Sequence, residues 1–240
     1  MSSEIVQVYD EYQKKLEECR NYRKKYLLIE NGKEIIETFN VSLLPKFNSY
    51  EDPYVNQFLK YMKLITDLDV VNENIIESHE IWSDIKKTEI SVENSIYNTY
   101  KYKRLNKLNE YIIFDLKHFV DEVIATISVI KGYTIDKKVY ISSIGAYLSK
   151  KQKNFDDFDN FTDLFQKLDD LSNSYKYSYA NSDFNAIGRD EDCFISLYSK
   201  YNDFDNQIIP YVVSIDYIVQ EFNKFYKFSF ELIDELTKSK

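Results

Sequence analysis

Acid–base or metal chemistry in this sequence would have to start from two histidines, His79 and His118. His79 lies in "IIESHEIW". Its surroundings give neither Glu-x-x-His nor His-Glu-x-x-His, so neither a zinc helix nor a di-iron helix is expected. Its expected role is a polar position on a long helix. His118, in "FDLKHFVDEV", stands beside Asp115, Asp121 and Glu122. There it is expected as a satisfied histidine at a helix–helix seam. A general base would need a nucleophile motif, and none accompanies it. The acidic runs "DDFDNFTD" and "NDFDNQ" lack the glycine and the distal glutamate of a calcium loop. The four glycines are scattered, so no phosphate-cradling loop forms, and Gly-x-Ser-x-Gly is absent. The paired carboxylates read as charge runs on solvated faces. No catalytic residue, metal ligand or cofactor is expected.

Two polar stretches hold the remaining candidates. "YKYKRLNK" sets Lys101, Lys103, Arg104 and Lys107 among Tyr100 and Tyr102. Cations beside aromatic rings suit single-stranded nucleic acid, through phosphate contact and base stacking. The plainer reading is a lysine-rich turn joining two helices. Further basic clusters lie at Arg20–Lys25 and in "SKKQK". The second stretch, "SNSYKYSYANSDF", follows a phenylalanine-rich helix pattern. It reads either as a helix end, with Asn181 and Ser182 opening a turn, or as a binding group. That group would be Asn173, Lys176 and Tyr177, with Arg189 near them, holding an anion or a partner in a cleft between helices. Exposed tyrosine and arginine are enriched at interfaces, which favours a protein partner.

The elements that must position these residues are helices. The 240 residues carry 22 Tyr and 16 Phe against 4 Gly and 3 Pro, so sharp turns are few and helices long. The net charge of −9 argues against a free nucleic-acid binder and against attachment to anionic membranes. Two isolated cysteines, Cys19 and Cys193, suit a reducing cytosol. The first residues lack a signal-peptide pattern, and no apolar run is long enough to cross a membrane. A cytoplasmic protein without membrane contact is expected.

Helical spacing predicts a first helix over 4–28, a connector over 33–52, and a helix opening at Pro53 with Tyr54, Phe58, Tyr61 and Ile65. A long helix over about 69–100 carries one stripe: Val71, Ile75, Ser78, Trp82, Ile85, Glu89, Val92 and Ile96. The segment through "YIIFDLKHFVDEVIATISVI" is apolar nearly all round, hence central, and stops at Gly132. A shorter helix is expected over 136–150. Phe158, Phe161, Phe165, Leu168 and Leu171 share the face of the next helix, with Asp156 and Asp157 in its first turn. Near 192–213 the period changes to two, with Cys193, Ile195, Leu197 and Ser199 alternating into a hairpin or extended arm across "NDFD". The last helix, 214–238, bears an unbroken stripe from Ile215 to Leu236 that must pack on the domain itself or on a second chain. The expectation is one all-α domain over 1–240, an up-and-down helical bundle with a small hairpin insertion. Residues 1–100 supply a long-helix part and 101–240 the bundle.

The order of central helix, "FQKLDDLSNSYKYSY", extended "DEDCFISLYSKYN" and final amphipathic helix resembles the HEPN-like all-α proteins of bacteria over roughly 105–238. In that family a helix end of the form Asn-x-x-Lys-His precedes the extended segment. Asn173 and Lys176 match, and Tyr177 stands where histidine is common. The resemblance implies a bundle, a tendency to dimerise, and links to toxin–antitoxin or phage-defence systems. It does not carry over the ribonuclease motif, an arginine four to six residues before a histidine. The arginines are Arg20, Arg23, Arg104 and Arg189, His118 lies too far beyond Arg104, and no histidine follows Arg189. The expected function is a non-enzymatic intracellular interaction module, a homodimer or the binder of a protein partner. The alternatives are a divergent HEPN-like RNA-binding or ribonuclease effector and, more weakly, an acidic inhibitor covering a basic surface.

Overall fold

The computed structural model describes residues 54–87, 99–132, 134–135, 138–139, 141–149, 155–178, 191–199 and 207–238. The first predicted helix, the connector, the stripe positions Glu89, Val92 and Ile96, Cys19 and Arg189 lie outside the described residues. What is described is mostly helical, with two small two-stranded sheets.

Helix α1 runs Tyr54–Lys87 without interruption. The two helices expected here are one, because neither glycine nor proline breaks the chain between Tyr54 and Lys87. Helix α2, Thr99–Ile130, packs antiparallel against it. Asp84 meets Lys101, Ser78 meets Asn109 and Asp67 lines one cavity with Asp115 and His118, so the numbers fall on one helix as they rise on the other. Val71, Ile75, Ser78, Trp82 and Ile85 are buried along α1, as the stripe predicts. Helix α2 is buried nearly all round: Ile112, Ile113, Leu116, Phe119, Val120, Val123, Ile124, Ile127 and Ile130. It is central, as its pattern requires, and touches every helix described here. It ends as expected at Gly132, whose positive φ of 76° suits glycine, with the amides of Lys131 and Gly132 donating to the carbonyls of Ile127 and Val129.

The helix expected over 136–150 is mostly something else. Strands β1, Thr134–Ile135, and β2, Lys138–Val139, pair antiparallel. Among the described residues of that stretch, only α3, Ile144–Leu148, is helical. The β-branched residues before it favour extension, and the cap comes late: the Ser143 hydroxyl accepts from the Ala146 amide at 3.2 Å. A 3₁₀ turn, Asp159–Phe161, then leads into α4, Thr162–Tyr177. Asp156 and Asp157 therefore precede the helix rather than open it. Asp157 pairs with Lys131 at the end of α2 instead.

Strands β3, Cys193–Tyr198, and β4, Ile209–Ser214, form the expected antiparallel hairpin, pairing Cys193 with Ser214 and Tyr198 with Ile209. Its burial follows the expected set only in part. Cys193 and Ser199 of that set are buried but Ile195 and Leu197 are only half-buried, while Phe194, Ser196 and Val213 on the other set are buried. Both alternating sets of β3 are largely apolar, so a period of two permits either choice. Helix α5, Ile215–Lys238, follows β4 directly. Ile215, Ile218, Phe222, Phe225 and Ser229 are fully buried, and Leu232 and Leu236 pack against the same core. That stripe is covered by the chain itself.

One core extends from Leu68 on α1 to Ile233 on α5. Its centre is aromatic. Phe225 lies 5.5 Å from Phe158, 5.4 Å from Phe161 and 5.5 Å from Phe165, and Tyr147 lies edge-on to Phe155, Phe158 and Phe165. Such pairs contribute about 0.5–1.5 kcal/mol each beyond the area they bury. Trp82, Ile85 and Leu105 form a separate small cluster towards the far end of the α1–α2 pair.

Candidate functional site

The polar chemistry of the interior converges where α1, α2, the start of β3 and the start of α5 meet. Ser78 occupies a core position of the α1 stripe and is fully buried. Its hydroxyl lies 3.0 Å from Asp192 Oδ2 and 3.2 Å from Asn109 Oδ1. The Asn109 amide donates to the Cys193 carbonyl at 3.5 Å. The Ile215 amide donates to the Asp192 carbonyl at 3.2 Å. The open end of the hairpin, Cys193 opposite Ser214, is thereby held against α1 and α2.

His79 completes the group. Its Nδ1 is 3.8 Å from Asp192 Oδ2 and its Nε2 is 3.7 Å from Asp216 Oδ1, so each ring nitrogen faces a carboxylate. Asp216 sits in the first turn of α5. The Asp192 side chain is only 3% exposed. Burial pushes its carboxyl up to about 7; hydrogen bonds from Ser78 and the Cys193 amide oppose this, and Asp216 adds to it. Burial draws His79 below its ordinary value, with Asp216 opposing.

Serine, histidine and aspartate meet here without making a nucleophile. Ser78 and His79 are consecutive on a helix and point about 100° apart. The hydroxyl engages the carboxylate directly, and it is inaccessible to any substrate. Beside His79 an open groove of about 330 Å³ is lined by Ile76, His79, Glu80, Ser83, Asp84 and Lys87, all from α1. Among the described residues, no group of three or more His, Cys, Asp or Glu could hold a metal ion, and no helix is long and apolar enough to cross a membrane.

The second histidine is exposed on α2 at the rim of the α1–α2 seam rather than satisfied within it. It lines a cavity of about 10 Å³ with Asp67, Leu68, Val71, Asp115 and Phe119, room for roughly one water. Burial raises the Asp115 carboxyl, nearby Asp67 raises it further, and His118 opposes both.

The candidates named from sequence fall into two separate places. Asn173, Lys176 and Tyr177 share one side of the last turns of α4. The Asn173 amide donates to Asp169 at 3.0 Å on its own helix. The Lys176 ammonium lies 4.7 Å from the centroid of the Phe114 ring on α2. Tyr177 is 67% exposed. Lys103 and Arg104 lie near the N-terminal end of α2, about 15 Å along its axis from mid-helix Phe114 at 1.5 Å per residue. Lys103 is exposed. Arg104 makes a bidentate pair with Glu77, 2.7 Å for each bond. Lys101 pairs with Asp84 and Lys107 with Glu110. Three of the four cations of "YKYKRLNK" therefore engage carboxylates, two of them across the α1–α2 seam.

The Ser78–His79–Asn109–Asp192–Asp216 group was not foreseen as a site, although two signals point to it. Ser78 interrupts an apolar stripe at a core position, and Asn109 lies in the most apolar helix. A polar residue at such positions requires a buried partner. No family model, no curated protein and no solved structure matches the chain significantly.

Proposed function

We propose that this protein is a non-enzymatic, intracellular interaction module of the HEPN-like kind, built as an up-and-down helical bundle and working as a homodimer linked to toxin–antitoxin or phage-defence systems. One observation carries the interaction reading: the outer face of the β3–β4 hairpin is apolar. Ile195 stands opposite Val212 and Leu197 opposite Pro210. These pairs share the face turned away from Phe194 and Val213. A sheet face turned to water is ordinarily polar. Here Val212 is 40% exposed and Ile208, just before β4, 42%. Neither strand contains a charged residue. Two copies of a chain with net charge −9 repel each other at most approaches, so an uncharged apolar face is where a second copy meets least opposition. The cations of "YKYKRLNK" favour the nucleic-acid alternative less, since most already engage carboxylates.

Light scattering on the purified protein over a concentration series tests this. The expected result is twice the chain mass, falling to the chain mass for Val212→Lys with its helicity unchanged. A wild-type monomer at all concentrations, or a dimer that Val212→Lys leaves intact, refutes the docking face. A complex with added RNA that weakens steeply with salt would support the nucleic-acid alternative instead.

A further inference from the structure

We propose that His79 and Asp192 hold one proton between them, carried by Asp192 in the folded protein, and that with Ser78, Asn109 and Asp216 they form a latch fastening the base of the β3–β4 hairpin to α1 and α2 with little dependence on pH. The hydrogen-bond geometry supports this assignment. Ser78 has a single proton but sits within bonding distance of two acceptors. If Asp192 is ionised, Ser78 donates either to Asp192, leaving Asn109 Oδ1 without that proton, or to Asn109, leaving the carboxylate with the Cys193 amide but without the hydroxyl. If Asp192 carries a proton on Oδ2, the acid donates to Ser78, Ser78 donates to Asn109 Oδ1, and the Asn109 amide donates to the Cys193 carbonyl. Every donor on that path then has an acceptor.

The surrounding charges favour the same state. Asp216, on α5, is the charged neighbour across the imidazole. α1 contributes His79 as its titratable group, and α2 contributes only neutral Asn109. The Cys193 thiol, on β3, is turned to the Glu191 carbonyl at 3.6 Å. An ionised Asp192 would face Asp216 with no cation in the group except a charged His79, and burial disfavours that form.

In the unfolded chain at mildly acidic pH the proton sits on His79 and Asp192 is ionised. Folding moves it to Asp192, whose carboxyl is raised, and leaves the imidazole neutral. Both states hold one proton, so the linkage between folding and pH cancels for the pair. Taken singly, the two partners have opposite signs. Asp192, raised in the fold, contributes stability below its unfolded value that is lost as pH rises towards 7. His79, lowered in the fold, costs stability at acidic pH and stops doing so as pH rises past its ordinary value.

The test is the folding equilibrium constant of wild type, Asp192→Asn, His79→Gln and the double variant between pH 5 and 6.5, each variant compared with wild type at the same pH. Asparagine can donate to Ser78 as the protonated acid does. Relative to wild type, Asp192→Asn is expected to gain up to about tenfold per pH unit as pH rises, His79→Gln to lose a similar factor, and the double variant to stay level. Amide exchange over Cys193–Tyr198, corrected for its intrinsic pH dependence, should show the same opposing trends. Slopes of one sign, or no slope in either single variant, overturn the shared proton. Should a variant not fold, infrared spectroscopy of the wild type at pH 6 decides: a buried carboxylic-acid carbonyl band is required, and its absence overturns the proposal.

Discussion

Replacing Tyr147 by phenylalanine removes one oxygen and leaves the ring. The ring lies 5.6 Å from Phe155, 5.9 Å from Phe158 and 5.6 Å from Phe165, so the aromatic packing should persist. What disappears is the hydroxyl, which accepts from the Phe158 amide at 3.0 Å and donates to Asp159 Oδ1 at 2.9 Å. Asp159 is exposed and turns to water at little cost. Phe158 is fully buried, and its amide loses its acceptor. An orphaned buried donor costs about 1–3 kcal/mol, and the relief of no longer burying a hydroxyl offsets part of that. The expected destabilisation is about 2 kcal/mol, below the roughly 3–5 kcal/mol of deleting a whole buried aromatic ring. Urea denaturation followed by circular dichroism reads this directly, with an unchanged slope confirming that the unfolded surface is the same. A loss under about 0.5 kcal/mol would refute the reasoning, because the Phe158 amide would then have another acceptor. A loss as large as that of Tyr147→Ala would place the whole effect in the hydroxyl and none in the ring.

Asp115→Asn should be more stable than wild type at neutral pH. The raised carboxyl contributes stability only below its unfolded value, so the advantage should shrink as pH falls towards about 4, read from melting temperatures across that range. Phe225→Ala should cost about 3–5 kcal/mol, because Phe225 meets Phe158, Phe161, Phe165 and Phe222 at the centre of the core. A loss under about 1.5 kcal/mol in denaturant melts would mean that the site collapses around the smaller residue.

The parts legible from sequence were those with a single strong period. The α5 stripe, the apolar circumference of α2 and the stop at Gly132 each rest on local spacing that the structure reproduces; the face expected on the α4 helix is buried throughout, but of it only Phe165, Leu168 and Leu171 lie on α4, Phe158 and Phe161 coming before its start. The hairpin was legible as a change of period, but its facing was not, because Phe194 and Ile195 are both suited to a core. The helix expected over 136–150 failed because helical spacing outweighed the β-branched run before Ser143. Long-range polar pairing was the least legible. Arg104 and Glu77 are far apart in sequence, as are Ser78 and Asp192, and no local pattern joins them. Asp192 reads in sequence as one carboxylate of "DEDC"; only the fold buries it.

The separate cluster around Trp82 has an optical consequence. The chain has one tryptophan, and it sits with Ile85 and Leu105 outside the main aromatic core. Its fluorescence therefore reports the far end of the α1–α2 pair, whereas near-ultraviolet dichroism reports the crowded tyrosines and phenylalanines around Phe225. The two signals watch different regions of one molecule. Coincident unfolding curves would show that the far end and the core melt as one cooperative unit. An earlier fluorescence change would show that the tip of the α1–α2 pair opens first.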